Sequence, residues 1–224
     1  MSAPLDLSVT VVAWNRAREL EGLFAAVEGF AREIVVLDGG SQDDTEGLCR
    51  QHTRARWVPR PWDGHFARAK NASFAAAQGA WILHLDADER PGPRLVARLP
   101  ELCAGSTAFW RLPMLWLLGE DRYVHSAKHF PCPVPRLFKN LPEHRYREDL
   151  GPVHPRFPDQ VVGRMRKASG VYLLHYCLAW ARPEELLRKA ARYAELEPGS
   201  EETNRAYYLW WTQPHEVRPL GDLA

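Results

Sequence analysis

Strand-like and helix-like patterns alternate along the first 91 residues of this chain, and that alternation constrains its fold more than any other feature. Residues 7–13 are apolar and β-branched, and residues 17–30 then place Leu20, Leu23, Phe24 and Val27 at helical spacing. Residues 33–37 read as a second strand, stopped by Asp38-Gly39-Gly40-Ser41. Asp43, Asp44 and Thr45 then open a helix that runs to about residue 51. The unit repeats with a strand at 55–58, an Ala-rich helix at 66–78 closed by Gly79, and a strand at 81–85. Strands joined through helices imply a parallel sheet with helices on both faces, and ligands of such sheets lie outside the C-terminal strand ends. Asn15, Asp38 and Asp86 all fall there.

After Pro91 the pattern changes. A short helix is expected near 95–102, a strand at 108–112, and a Pro-rich stretch follows with Pro131, Pro133 and Pro135. Residues 135–139 and 171–175 are the best later strands, and 183–196 reads as a helix with Pro183 in its first turn. Irregular structure and short strands are expected to dominate this half. No internal repeat is visible, and residues 1–224 are expected to form one domain that changes role near Pro91.

Composition narrows the partners. With 46% apolar and 25% charged residues the chain is ordinary for a globular protein, and a net charge of +1 provides no field to attract nucleic acid. Cys49, Cys103, Cys132 and Cys177 are too scattered for a zinc ribbon or a disulfide framework and fit buried thiols in a reducing cytoplasm. The N-terminus, Met1-Ser2-Ala3-Pro4-Leu5-Asp6, lacks the character of a signal peptide, and no apolar run is long enough to span a bilayer. A cytoplasmic protein, soluble or peripheral at the inner face of the membrane, is expected. Among nine tryptophans, the cluster of Tyr207, Tyr208, Trp210 and Trp211 is best read as core or oligomer packing.

The chemistry is concentrated at Asp86-Ala87-Asp88-Glu89, directly after the apolar run 80–85. Two carboxylates one residue apart at a strand tip suit Mg²⁺ or Mn²⁺, cations that leave several positions to water or phosphate oxygens. A solvated acidic loop is the plainer alternative, made less attractive by the buried strand that delivers the acids. The pair points to phosphate or diphosphate chemistry.

Three segments together carry a family resemblance: residues 8–16 (SVTVVAWNR), 34–45 (IVVLDGGSQDDT), and Lys70-Asn71 ahead of 79–89 (GAWILHLDADE). Over roughly residues 7–95 they resemble the family-two inverting glycosyltransferases of GT-A fold. Trp62-Asp63-Gly64, Arg136-Leu137-Phe138, Val153-His154 and His175-Tyr176 are shorter matches to small bacterial transferases of the lipopolysaccharide-core glucosyltransferase type. The resemblance implies an α/β fold with a Rossmann-like, mostly parallel central sheet. It also implies a nucleotide-sugar half over about 1–95 and an irregular acceptor half over about 96–224.

Residue by residue, it implies that Ala13 and Asn15 line the nucleotide pocket and that Asp38 accepts a hydrogen bond from the base, typically uracil. Lys70 and Asn71 would lie beside the donor, Asp86 and Ala87 by the ribose or sugar, and Asp88, with His175, at the metal. Arg136 would meet the phosphates or pair with an acid. The implied reaction moves a hexose from a uridine diphosphate sugar to a glycan or glycolipid hydroxyl, with Mn²⁺ or Mg²⁺ as cofactor.

An inverting transfer needs a base to take the acceptor's proton. Glu148, Asp149 and His154 are candidates. Similar transferases often carry an acid directly after the Val-His histidine, but here that position is Pro155. Arg147-Glu148-Asp149 resembles the acceptor-side Glu-Asp motif, which makes Asp149 the first choice, against a reading of the three as a charged surface loop. Aspartyl phosphatases also carry Asp-x-Asp, but after the first strand and with Thr or Val where this chain has Arg90. A non-catalytic module that binds sugar nucleotides or glycans is the remaining alternative. The helix at 183–196 carries Arg188, Lys189 and Arg192 beside Leu186 and Leu187, a pattern compatible with an anionic bilayer but read more plainly as a core helix with solvated basic residues.

Overall fold

A computed structural model describes residues 4–221 except 128, 131 and 213, so Pro131 and Met1-Ser2-Ala3 lie outside the described residues. The apolar run that opens the chain forms β1 (Leu7–Ala13), and α1 (Ala17–Val27) buries Leu20, Leu23, Phe24 and Val27. The helix ends three residues before the expected Phe30, because the chain turns at Glu28-Gly29 and Phe30 and Ala31 both donate to the Val27 carbonyl. Then follow β2 (Glu33–Asp38), α2 (Thr45–Gln51), β3 (Ala55–Pro59), α3 (Phe66–Ala76), β4 (Trp81–Asp86), β5 (Glu89–Pro91) and α4 (Pro93–Ala104). Helix α3 stops at Ala76, short of the expected residue 78, where Ala77 is already extended.

The second half holds more regular structure than its prolines suggest. It comprises β6 (Thr107–Trp116), β7 (Arg122–His125), β8 (Cys132–Lys139), β9 (Arg164–Lys167) and β10 (Leu173–His175). Helices α5 (Cys177–Trp180), α6 (Pro183–Leu196) and α7 (Glu201–Tyr208), a 3₁₀ turn at Trp210–Thr212 and β11 (Glu216–Pro219) complete it. Strand β6 is ten residues long despite Pro113. Pro113 lies opposite Pro133 of β8, so two residues without N–H groups face each other instead of each depriving a partner.

The strands form a sheet of order β3-β2-β1-β4-β8-β6-β10-β5, with β9 also paired to β6, and β7 and β11 form a separate hairpin-like ribbon. The pairs β1–β2, β2–β3, β1–β4, β6–β10 and β6–β9 are parallel, whereas β8 and β5 run against all their neighbours. Strands β1, β2 and β4 are almost wholly buried, which explains their near-continuous apolar composition. Among the described residues no helix is long and apolar enough to cross a membrane. The four cysteines are free thiols.

Where α3 returns to β4 the chain runs over the start of β1. Gly79 donates its N–H to Ser8 Oγ at 2.8 Å, and Ser8 Oγ in turn donates to Glu33 at 2.6 Å. A Cβ on Gly79 would lie 2.7 Å from the Ser8 backbone nitrogen and 2.8 Å from its hydroxyl. Backbone cannot yield there without disturbing the β1–β4 pairing. Gly79→Ala is therefore expected to cost about 1–3 kcal/mol of stability, measured as a lower urea midpoint with an unchanged slope.

Candidate functional site

Strand β4 carries its apolar side chains into the core and releases Asp86 at its C-terminal end, beside β1 and the turn that leads to β5. The Asp86 carboxylate meets two cations: Lys70 Nζ of α3 at 2.8 Å and Arg136 of β8 at 2.7 Å. Arg136 also donates to Glu89 at 2.6 Å, and the other Glu89 oxygen accepts the Asp86 N–H at 3.1 Å. Lys70, Arg136 and Glu89 are all buried. Burial resists ionisation of Asp86, but Arg136 and Lys70 outweigh it and hold its carboxyl well below the ordinary range. For Glu89 burial wins, helped by the Asp86 charge and opposed by Arg136, so its pKa is raised.

Asp88 is held apart from this network. Its carboxylate lies 3.4 Å from His175 Nε2, at the end of β10, and Cys177 Sγ completes a group whose ligand atoms are all within 4.8 Å of one another. Lys189 Nζ, from α6, lies 3.3 Å from Cys177 Sγ. Burial opposes the Asp88 charge, and His175 together with Lys189 reverses this to hold the carboxyl well below its usual value. The spacing of Asp88 and His175 is what neighbouring ligands show around a cation bound at about 2.1 Å. The pair therefore fits a divalent ion, whereas the Asp86 carboxylate is already engaged by protein cations. Trp116 backs the His175 ring at 4.2 Å and stacks on Tyr207 at 5.6 Å, so the aromatic cluster near the C-terminus packs partly behind this site.

The ends of β1 and β2 form the adjoining wall. Ala13 is buried opposite Asp38, and Asn15 adopts a left-handed φ of 53°, a conformation asparagine tolerates better than most residues. Asn15 donates its N–H to Ser41 Oγ and accepts the Gln42 N–H through its side chain. Asp38 accepts from the Gly40 and Ser41 backbone, the Ser41 hydroxyl and Trp57 Nε1. Three of these bonds converge on Oδ1 and only Trp57 reaches Oδ2, so Oδ2 keeps an acceptor position that a base N–H can use.

The candidate bases Glu148, Asp149 and His154 sit on the loop between β8 and β9. Asn71 is tied to this loop, exchanging hydrogen bonds with the Tyr146 backbone and donating to Glu148 at 2.8 Å. Asp149 is exposed and paired with Arg147, whose hydrogen bond lowers its pKa. His154 turns instead towards α7, with Nε2 at 3.2 Å from Asn204 Oδ1. Ala87 is buried within the turn between β4 and β5. The structure thus brings Lys70 and Asp86 together, and Asp88 with His175, but leaves Asp149 outside both groups. Sequence reasoning did not assign Glu89, Cys177 or Lys189 to the site. Glu89 was visible as the third acid of the 86–89 string, but the roles of Cys177 and Lys189 depend on distant elements meeting.

Comparisons with known proteins point to glycosyl transfer. Residues 8–110 match the model of glycosyl transferase family 2. That segment carries the family's sequence pattern. It is 29% identical to the lipopolysaccharide core biosynthesis glycosyltransferase LpsC of Rhizobium meliloti (strain 1021), over 96% of this chain and 80% of that protein. An uncharacterized glycosyltransferase of Rickettsia felis is also 29% identical, over 84% of this chain and 67% of the relative. In fold, the chain is similar to S. aureus TarS 1–349, with a TM-score of 0.54 at 13% identity over 88% of this chain and 68% of that one. The same TarS fragment in complex with UDP-GlcNAc gives a TM-score of 0.52 at 15% identity over 91% and 71%. The fold is GT-A, and the chain is an enzyme of sugar transfer.

The glycosyltransferase's Asp86–Arg136–Glu89 network generates a stability prediction. Arg136→Met leaves a buried Glu89 without its counter-ion, which should cost roughly 3–5 kcal/mol near neutral pH. The raised pKa of Glu89 sets the sign: protonation removes the uncompensated charge, so the loss should shrink as pH falls towards 5. Urea unfolding of both proteins at pH 5 and pH 8 measures the difference.

Proposed function

We propose that this glycosyltransferase moves a hexose from a uridine diphosphate sugar to a hydroxyl of a glycan or glycolipid, with inversion and with a divalent cation, Mn²⁺ or Mg²⁺. The observation that carries the proposal is the placement of Asp88 and His175 at 3.4 Å from each other, beside but separate from the satisfied Asp86 network. The TarS fragment similar in fold was solved with UDP-GlcNAc, and LpsC is named for lipopolysaccharide core biosynthesis, which supports the donor and acceptor classes.

On this reading, the nucleoside lies against Ala13, Asn15 and Asp38, with the base N–H donating to Asp38 Oδ2. Asp88 and His175 would hold the cation, which would supply charge stabilisation to the departing diphosphate. Lys70 and Arg136 keep Asp86 ionised and fixed, so that with Ala87 it can orient the ribose or the sugar. Asn71 anchors the loop that carries Glu148 and Asp149, and Asp149 takes the acceptor's proton as the hydroxyl attacks the anomeric carbon opposite the diphosphate. Residues 1–95 are assigned to the donor and 96–224 to the acceptor within one domain, positioned in the cytoplasm where nucleotide sugars are made. A contact of α6 with the membrane would bring lipid-linked acceptors within reach.

Asp88→Ala should abolish the Mn²⁺-dependent gain in affinity for uridine diphosphate while the far-ultraviolet spectrum stays native. Isothermal titration with and without Mn²⁺ reads this directly, and an undiminished metal effect in the folded variant would remove Asp88 from the site. Asp149→Asn keeps its size and should lower turnover roughly 10²–10⁴-fold with donor affinity nearly unchanged. If Glu148→Gln produces that loss instead, the base is Glu148. A purified wild-type protein that neither transfers nor hydrolyses any nucleotide sugar with Mn²⁺ would favour the binding-module alternative.

A further inference from the structure

Helix α6 carries a charge where its sequence pattern calls for an apolar residue. Leu186, Ala190 and Tyr193 follow helical spacing along the face turned to the protein, and Leu186 and Ala190 are buried. Lys189 belongs to the same stripe. A lysine in such a position is rare unless its ammonium meets an opposite charge or a polar cavity.

The surroundings of Lys189 identify what it meets. Nζ is 3.3 Å from Cys177 Sγ, 4.8 Å from the centre of the Tyr208 ring and 5.9 Å from that of Tyr193. Burial weakens its charge, but Tyr208, Cys177, Tyr193 and the Asp88 carboxylate together hold its pKa well above the ordinary lysine value. The same helix reaches further across the strand ends: the Arg192 guanidinium lies over Trp14, next to Asn15, at 5.8 Å. Thus α6 roofs the β1 and β4 ends and points a fixed cation at the Asp88–His175 pair from the acceptor half.

We propose that Lys189 is a diphosphate-binding residue, which grips the donor's phosphates from α6 while Asp88 and His175 hold the cation on the other side. This rests on the donor reading above. Charge counting supports it. A nucleotide sugar brings two negative charges on its diphosphate, a divalent cation cancels them, and Asp88 leaves one negative charge for Lys189 to balance. When the glycosidic bond to phosphate breaks, the leaving nucleoside diphosphate gains a further negative charge, and a preorganised ammonium stabilises this state more than the ground state. Without donor, Asp88 and the Cys177 sulfur keep the ammonium in place, so little reorganisation is needed on binding.

The test compares uridine with uridine diphosphate by isothermal titration, in EDTA and in Mn²⁺, for wild type, Lys189→Met and Lys189→Arg. Methionine matches the lysine stem and should leave the fold intact, which circular dichroism checks. Wild type should prefer the diphosphate over uridine even in EDTA. Lys189→Met should lose roughly tenfold or more of the affinity for the diphosphate with uridine affinity unchanged, and Lys189→Arg should recover most of it. Equal losses for both ligands, or no loss for the diphosphate, would overturn the proposal. A wild type that does not prefer the diphosphate in either condition would overturn the donor reading and this proposal together. If Asp88→Ala leaves the Mn²⁺ effect unchanged while Lys189→Met still loses the EDTA preference, the metal assignment fails and Lys189 stands.

Discussion

The ion network of Asp86, Arg136, Glu89 and Lys70 is the interaction on which the rest of the site depends. It joins β4 to β8 at the point where the sheet changes from parallel to antiparallel pairing. Removing such charges from water costs several kcal/mol each, and close opposite charges recover this only with good geometry. Here each carboxylate has a cation within 2.8 Å, and the arginine serves two acids at once. The network holds the strand tip rigid, and this fixes where Asp88 emerges two residues later.

Support for the second charged group is of another kind. His175 lies at the edge of an aromatic assembly in which Trp116 contacts His129, His175, Tyr207 and Tyr208. Aromatic rings offer large contact areas and few rotatable bonds, which suits them to fixing the His175 ring beside Asp88. Helix α7 brings Tyr207 and Tyr208 to this assembly. The carboxylate comes from the first half, while the imidazole, thiol and ammonium around it come from the second.

The first half was legible because its physics is local. Strands buried on both faces show as apolar runs, their helices show as periodic stripes, and strand ends locate Asn15, Asp38 and Asp86 without further information. The second half obeys longer-range rules. Strand β9 is Arg-Met-Arg-Lys and exposed along its length, so nothing in its composition marks it, and Pro113 of β6 finds its place opposite Pro133 of β8. At the site, the acids could be read from sequence but not their partners. That Asp86 is neutralised by Lys70 and Arg136, and that Asp38 is held by Trp57, follows from contacts between residues as many as 50 positions apart. Lys189 left one local trace, a cation within an inward stripe.

The turn between β4 and β5 has a consequence for how the molecule is built. These strands are separated by only two residues, Ala87 and Asp88, yet in the sheet β5 lies at the far edge, reached from β4 through β8, β6 and β10. The sheet must therefore curl until its edge returns to the strand that precedes it, a ring closed by the turn that carries Asp88. During synthesis β5 has no strand to pair with until Leu173–His175 leave the ribosome. The ring closes last, and the same event that covers the open edge delivers His175 to Asp88, so the charged pair does not exist in a chain that has not finished folding.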